Sequence, residues 1–144
     1  MPDLTVRVRL LRDGAYMPFR ATPSASGFDL FACIPQPMAL SQVPTVVGTG
    51  IALEVPEGCD AQIRPRSGLA RKGVLSTFGT LDADYRGELL VTLYTTAPTI
   101  EYTIQPGDRI AQLVITRIVD PLFEQVDELS ESVRGVGGLG STGR

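Results

Sequence analysis

"LTVRVRLL", residues 4–11, alternates Val6, Val8 and Leu10 against Thr5, Arg7 and Arg9. Successive strand side chains point to opposite faces, so this period of two predicts a strand with one buried and one wet face. Working outward from it, strands are predicted at "VVGTGIALEV" (46–55), "DAQIRP" (60–65), "ELLVTLYTT" (88–96), "IEYTI" (100–104) and "IAQLVITRIV" (110–119). Turn sequences such as "VPEG" (55–58) and "QPGD" (105–108) separate them, because proline and glycine supply the backbone angles that turns need. Short strands at close spacing indicate an all-β sandwich, jelly roll or barrel. The one helical segment is "SGLARKG" (67–73), room for about two turns, with Ser67 as N-cap and Gly73 as C-terminal stop.

A chain of 144 residues that is 43% hydrophobic can build one core of its own. We expect a single β domain over residues 1–131, followed by a glycine-rich tail over 132–144. The formal net charge of −3 and the lack of a basic run argue against a nucleic-acid surface. No apolar run approaches the roughly 20 residues of a membrane span, and no secretory leader pattern opens the chain; the cytoplasm is the expected compartment.

Histidine is absent, and only Cys33 and Cys59 carry thiols. Triads with histidine, Cys–His pairs and four-ligand zinc sites are excluded on composition. In a cytosolic chain both thiols are expected to be reduced. Catalysis is left to carboxylates, hydroxyls, backbone amides and a hard cation such as Mg2+.

Four internal stretches and the tail hold the polar groups suited to such chemistry. "GTLDADYRGE" (79–88) begins like a calcium loop with Asp82, Asp84 and Gly87, but Arg86 and Leu93 stand where that loop needs oxygen ligands. Its other reading is a polar hairpin with solvated acids. "RPRSGLARKG" (64–73) sets Arg64, Arg66 and Ser67 at a helix N-terminus, where unpaired amides and a partial positive charge favour anions. "SASGFDL" (24–30) carries Asp29, and "PGDRIAQL" (106–113) is a turn leading into a strand. "RGVGGLGSTG" (134–143) could fold amides around a phosphate but lacks the lysine of a P-loop. Taken singly, each also reads as a structural turn or a disordered end.

In order, "SGFDL", "PRSGLA", "GTLDADYRGE", "GDRIAQL" and "RGVGGLGSTG" resemble the five motifs of the homotrimeric dUTP diphosphatases (dUTPases), over a span from about residue 4 to the C-terminus. The resemblance implies a jelly-roll-like β-barrel with one short helix, assembled as a homotrimer that hydrolyses dUTP to dUMP and diphosphate. That activity keeps uracil out of DNA and supplies dUMP for thymidylate synthesis. Each site would take its first, second and fourth motifs from one chain, the third from a neighbour, and the tail from the remaining chain.

The same resemblance assigns roles. Asp82 matches the carboxylate that activates water, and Tyr85 the platform under the deoxyribose that a 2′-hydroxyl would strike. Thr80 and Leu81 lie on the hairpin whose backbone reads uracil. Arg66, Ser67, Gly68 and Gln112 match phosphate contacts, and Leu90 a further substrate contact. Asp29 matches an acid that holds Mg2+ through water. Arg134, Ser141 and Thr142 match tail contacts to the outer phosphate. Leu139 stands where most relatives carry an aromatic over uracil, and Ser76 where many carry Asn near the base; both bear on affinity rather than on the chemistry. The expected partners are dUTP and two further copies of the chain, with no nucleic acid and no membrane. Two other readings remain open at this stage: a dCTP deaminase-like enzyme, which typically has Glu in place of the hairpin Asp, and a non-catalytic module that senses dUTP by ordering its tail.

Overall fold

The computed structural model describes residues 3–143. Its strands, in chain order, are β1 (Arg7–Leu10), β2 (Phe28–Phe31), β3 (Met38–Leu40), β4 (Thr45–Glu54), β5 (Cys59–Arg64), β6 (Val74–Ser76), β7 (Gly79–Leu81), β8 (Glu88–Thr95), β9 (Tyr102–Ile104) and β10 (Arg109–Arg117). One helical turn, α1 (Ser67–Ala70), lies between β5 and β6. Every pairing is antiparallel. The strands form two four-stranded sheets, ordered β1-β4-β8-β6 and β2-β10-β5-β7, and a ribbon of β3 with β9. The fold is all-β with one short helix, as the turn-rich alternating pattern implied.

β8 shows how the pattern sets the fold. Leu89, Val91, Leu93 and Thr95 are buried, while Leu90, Thr92 and Tyr94 face outward. The buried set joins Val47, Ile51 and Leu53 of β4 and Ala61, Ile63 and Leu113 of the other sheet in one core. Fully burying such an aliphatic side chain is worth about 1.5–3 kcal/mol, so a one-residue slip of β8 would turn its whole apolar set to solvent.

The opening stretch is shorter as a strand than its alternation implied. Val6 and Val8 pack on the core, but Leu10 is 49% exposed. β1 is an edge strand with only β4 beside it, so its final residue has little to cover it. The strands without a sequence signal, β2, β3, β6 and β7, have three or four residues each, too few positions for alternation to mark.

The helix is also shorter than expected, and Ser67 does not cap it. Arg66 occupies the N-cap in an extended conformation with no side-chain cap bond, and Ser67 is the first helical residue. The reason is tertiary: Arg66 is held by groups outside the helix. Gly73 does end the segment, at φ +77°, a conformation that glycine adopts without a Cβ clash. Its N–H donates to the Ala70 carbonyl (2.9 Å).

The chain leaves the body after β10. The Ile118 N–H donates to the Gly58 carbonyl (3.0 Å); beyond it, residues 119–143 hydrogen-bond only among themselves, within the described residues. Cys33 and Cys59 are buried and unpaired.

Candidate active site

Three of the singled-out stretches meet on the outer face of the second sheet. Gln112 of β10 lies opposite Asp29 of β2 on one side and Arg64 of β5 on the other. Its Nε2 donates to the Pro65 carbonyl (2.9 Å), tying "AQL" to the turn that launches α1. Gly27 makes this possible. A Cβ there would stand 3.0 Å from the Gln112 Cδ and closer still to Oε1, so any larger residue would displace the amide.

Asp29 is only partly exposed and is gripped by two guanidinium groups. Arg66 Nε donates to Oδ1 (2.9 Å), and Arg109 Nη1 lies 3.3 Å from Oδ2. A half-buried carboxylate needs such partners. Beside Arg66, the amides of Ser67, Gly68 and Leu69 open the helical turn and have no helical carbonyl to bond. No acidic residue occupies that first turn. The cluster therefore offers backbone donors and a guanidinium beside them, groups of the kind that pair with anions.

The remaining internal stretch, "GTLDADYRGE", forms a separate feature at the far edge of the same sheet. An open pocket of about 250 Å³ is lined by Ile63, Gly79, Thr80, Leu81, Asp82, Tyr85, Glu88, Leu89 and Leu90. β7 pairs only with β5, so its outer edge presents unpaired backbone groups. Asp82 follows directly and is exposed. The Tyr85 N–H closes a turn by donating to the Asp82 carbonyl (3.1 Å). The Tyr85 hydroxyl donates to the Glu88 carbonyl (3.0 Å), fixing the ring against the hairpin. A larger cavity, about 850 Å³, lies elsewhere between Leu4, Val6, Val8, Met17, Phe28 and Leu113. Its lining is mostly apolar.

Two residues to which the sequence reading gave no part in the site shape that hairpin. Gly87 leaves room for Tyr85: a Cβ there would stand 2.6 Å from Cζ of the ring and closer to the hydroxyl. Glu88 anchors its base. Arg12 Nη2 lies 2.7 Å from Glu88 Oε1, and that same oxygen accepts the Gly50 N–H (2.8 Å). The hydrogen bond from Arg12 holds the Glu88 carboxyl below the usual carboxylate range, against the opposing effect of burial. A depressed folded-state pKa contributes stability that is present above the unfolded value, near 4.3, and is lost as pH falls through the folded one. Glu88→Gln should thus be less stable than wild type at neutral pH, with the gap closing below about pH 4. Urea midpoints at pH 7 and pH 3.5 check this, and an unchanged gap would remove the ion pair as its source.

The remaining predicted residues are placed as follows. Ser76 is buried opposite Leu93, outside the pocket lining, and its hydroxyl has no hydrogen-bond partner. Arg134, Leu139, Ser141 and Thr142 lie in the exposed tail and are not brought to either cluster. Among the described residues, no three Cys, Asp or Glu side chains gather as metal ligands.

The family model described as dUTPase matches residues 13–143. A deoxyuridine 5′-triphosphate nucleotidohydrolase of Syntrophotalea carbinolica is 44% identical, covering 99% of each chain. One from a Hydrogenobaculum species is 49% identical over 94% of this chain and 96% of its own. Among solved structures, a variant of the Staphylococcus bacteriophage 80alpha dUTPase with dUpNHpp matches at a TM-score of 0.87 and 30% identity, over 97% of this chain and 99% of that one. A variant of the dUTPase from phage phi11, described with a structural Mg(II) ion, matches at 0.79 and 30% identity, over 87% and 98%. The chain belongs to the dUTPase family.

Proposed function

We propose that this chain hydrolyses dUTP to dUMP and diphosphate, at sites that copies of the chain build together. The observation that carries the reading is the pocket that gathers Thr80, Leu81, Asp82, Tyr85 and Leu90 on a dUTPase fold. Uracil enters it and bonds the free backbone edge at Thr80 and Leu81. Cytosine offers an amino donor where uracil has an acceptor, and polar mismatches of this kind give about 10⁴-fold discrimination. Leu90 adds apolar contact. Ser76 is assigned to the base side, where its unpaired hydroxyl would gain a partner, directly or through water.

Asp82 takes a proton from the water that attacks the α-phosphorus, in line with the departing diphosphate. With no histidine in the chain, a carboxylate is the available base. Arg66, the amides of Ser67 and Gly68, and Gln112 hold the phosphate oxygens and stabilise their charge. Asp29 fits a cation only indirectly, since guanidinium groups occupy both of its oxygens and just the remaining lone pairs can accept from coordinated water. Mg2+ bound to the phosphates would neutralise charge on the leaving group. The tail, residues 132–144, closes over the triphosphate through Arg134, Ser141 and Thr142, with Leu139 covering the base.

Strand geometry supports shared sites. Asp29 and Thr80 lie three strands apart and two residues out of step. At roughly 4.8 Å per strand and 3.3 Å per residue their Cα atoms are about 16 Å apart, and Asp82 is farther. Arg66 is tied to Asp29, so this separation favours a site in which the Asp82 and Arg66 on one phosphate group come from different chains. Leu122, Phe123 and Leu129 are about nine-tenths exposed, apolar surface that association of copies would cover. A homotrimer is the assembly we assign, and the cytoplasm, which holds the nucleotide pool, the compartment.

Diphosphate release measured across the dNTPs tests the activity. Release from dUTP with dUMP as co-product is expected. Deoxyuridine nucleotides formed from dCTP would mark a deaminase instead, and tight dUTP binding without single-turnover hydrolysis would mark a sensor. Light scattering tests the assembly, since full activity at monomer mass would end the shared-site reading.

Gly87→Ala tests the sugar platform. The new methyl group displaces the Tyr85 ring and breaks its bond to Glu88, while the fold remains. We expect dUTP turnover to fall roughly 10-fold or more, the scale of a small misplacement in a positioned site, and the preference for dUTP over UTP to narrow. An unchanged preference would mean that the ring does not gate the sugar.

A further inference from the structure

Arg66 is fixed by more than an ion pair. Its Nε donates to Asp29 Oδ1 (2.9 Å) and its Nη1 to the backbone carbonyl of Arg109 (3.2 Å). Among the described residues Nη2 makes no hydrogen bond, so Nε and Nη1 are held and the Nη2 group is free. Asp29, which holds it, is itself held. Its backbone exchanges two hydrogen bonds with Phe19, Asp29 N–H to the Phe19 carbonyl (2.7 Å) and Phe19 N–H to the Asp29 carbonyl (3.2 Å). Its other oxygen faces Arg109 Nη1.

Arg109 is the outer member of this chain. Its Cζ lies 5.6 Å from the Phe19 ring centroid and 5.9 Å from that of Phe31. Phe31 in turn packs on Tyr16, with centroids 5.3 Å apart. A planar cation over two aromatic faces loses rotamer freedom that a free surface arginine keeps. One residue thus contributes two restraints: its side chain fixes the Asp29 carboxylate, and its carbonyl fixes Arg66 directly.

We propose that Arg109 is a positioning residue for phosphate binding. Lying over the Phe19 and Phe31 rings, it locks Asp29, and together they aim the free Nη2 group of Arg66 at the triphosphate. The proposal rests on the dUTPase reading and assigns Arg109 no phosphate contact of its own. It also gives Asp29 a task beyond any cation, because the carboxylate orients the anion-binding arginine.

A double-mutant cycle separates positioning from direct contact. Affinity for a non-hydrolysable dUTP analogue is measured in the full-length protein and in Arg66→Gln, Arg109→Gln and the double variant. Each single change is expected to weaken binding about tenfold, the scale of a lost charge-assisted bond, with the double variant no weaker than Arg66→Gln alone. Arg109→Lys should recover only part of the loss, since it keeps the charge but not the flat guanidinium. If Arg109→Gln does not fold, Phe19→Leu removes one ring at a half-exposed position and should weaken binding only when Arg66 is present. Additive losses would make Arg109 an independent phosphate ligand and overturn the proposal, as would an Arg109→Gln or Phe19→Leu protein that binds like wild type. Normal binding by Arg66→Gln would overturn it too, by leaving Arg109 nothing to aim. Wild-type protein that neither binds the analogue nor hydrolyses dUTP would instead overturn the dUTPase reading itself.

Discussion

Asp82→Asn is expected to lower dUTP hydrolysis by at least about 10²-fold, the usual scale for removing a general base, while the analogue still binds. The substitution is nearly isosteric. It leaves the Asp82 carbonyl free to accept the Tyr85 N–H, so the hairpin turn should persist. It removes only the ability to take a proton from water. No histidine exists to substitute, and Glu88, the other acid in the pocket lining, is committed to Arg12 and the Gly50 amide. Rapid-quench turnover beside equilibrium binding checks the prediction. Near-normal turnover in the Asn variant would assign the base elsewhere, whereas loss of binding as well would make Asp82 a substrate-positioning group.

The contrast between Asp82 and Asp29 shows what the sequence could and could not convey. β8 was legible because eight residues of alternating burial carry a clear period, and β10 because a long apolar run follows a turn sequence. β7 was not, with three residues, yet its edge position supplies the backbone groups that uracil would bond. The family resemblance marked Asp29, Arg66 and Gln112 as residues that belong together, and the sheet register puts Asp29 and Gln112 opposite each other. It could not say that Asp29 holds Arg66, because that contact depends on the rotamer of an arginine 37 residues away.

The parts played by Gly27, Gly87, Arg109 and Glu88 were missed for a related reason. Each acts by making room for a functional side chain or by holding it, and neither task leaves a periodic trace. A glycine two residues from an aromatic looks like any turn until the ring is placed. Ser67 is the converse case. Local chemistry favoured it as a cap, but the tie between Arg66 and Asp29 moved the helix start by one residue.

Removing residues 134–144 should leave melting temperature and assembly unchanged and still cut hydrolysis by about 10²-fold, the scale of lost positioning. The described part of the segment buries nothing in the chain: Val136 and Leu139 are fully exposed. Its hydrogen bonds form tight turns of its own, including Arg134 Nε to the Gly137 carbonyl (2.7 Å) and the Ser141 N–H to the Gly138 carbonyl (2.9 Å). Leu139 holds φ at +36°, a left-handed conformation that costs a non-glycine residue about 1–2 kcal/mol, with no contact to the body to offset it. A segment with no stabilising contacts in its own chain cannot be needed for the fold. It can be needed for catalysis if Arg134, the glycine amides, Ser141 and Thr142 hold the triphosphate in line with the water at Asp82. The two roles separate experimentally, because a stability role would lower the melting temperature and a closing role would lower turnover alone. A truncated protein with full activity would show that the body binds and orients the triphosphate unaided.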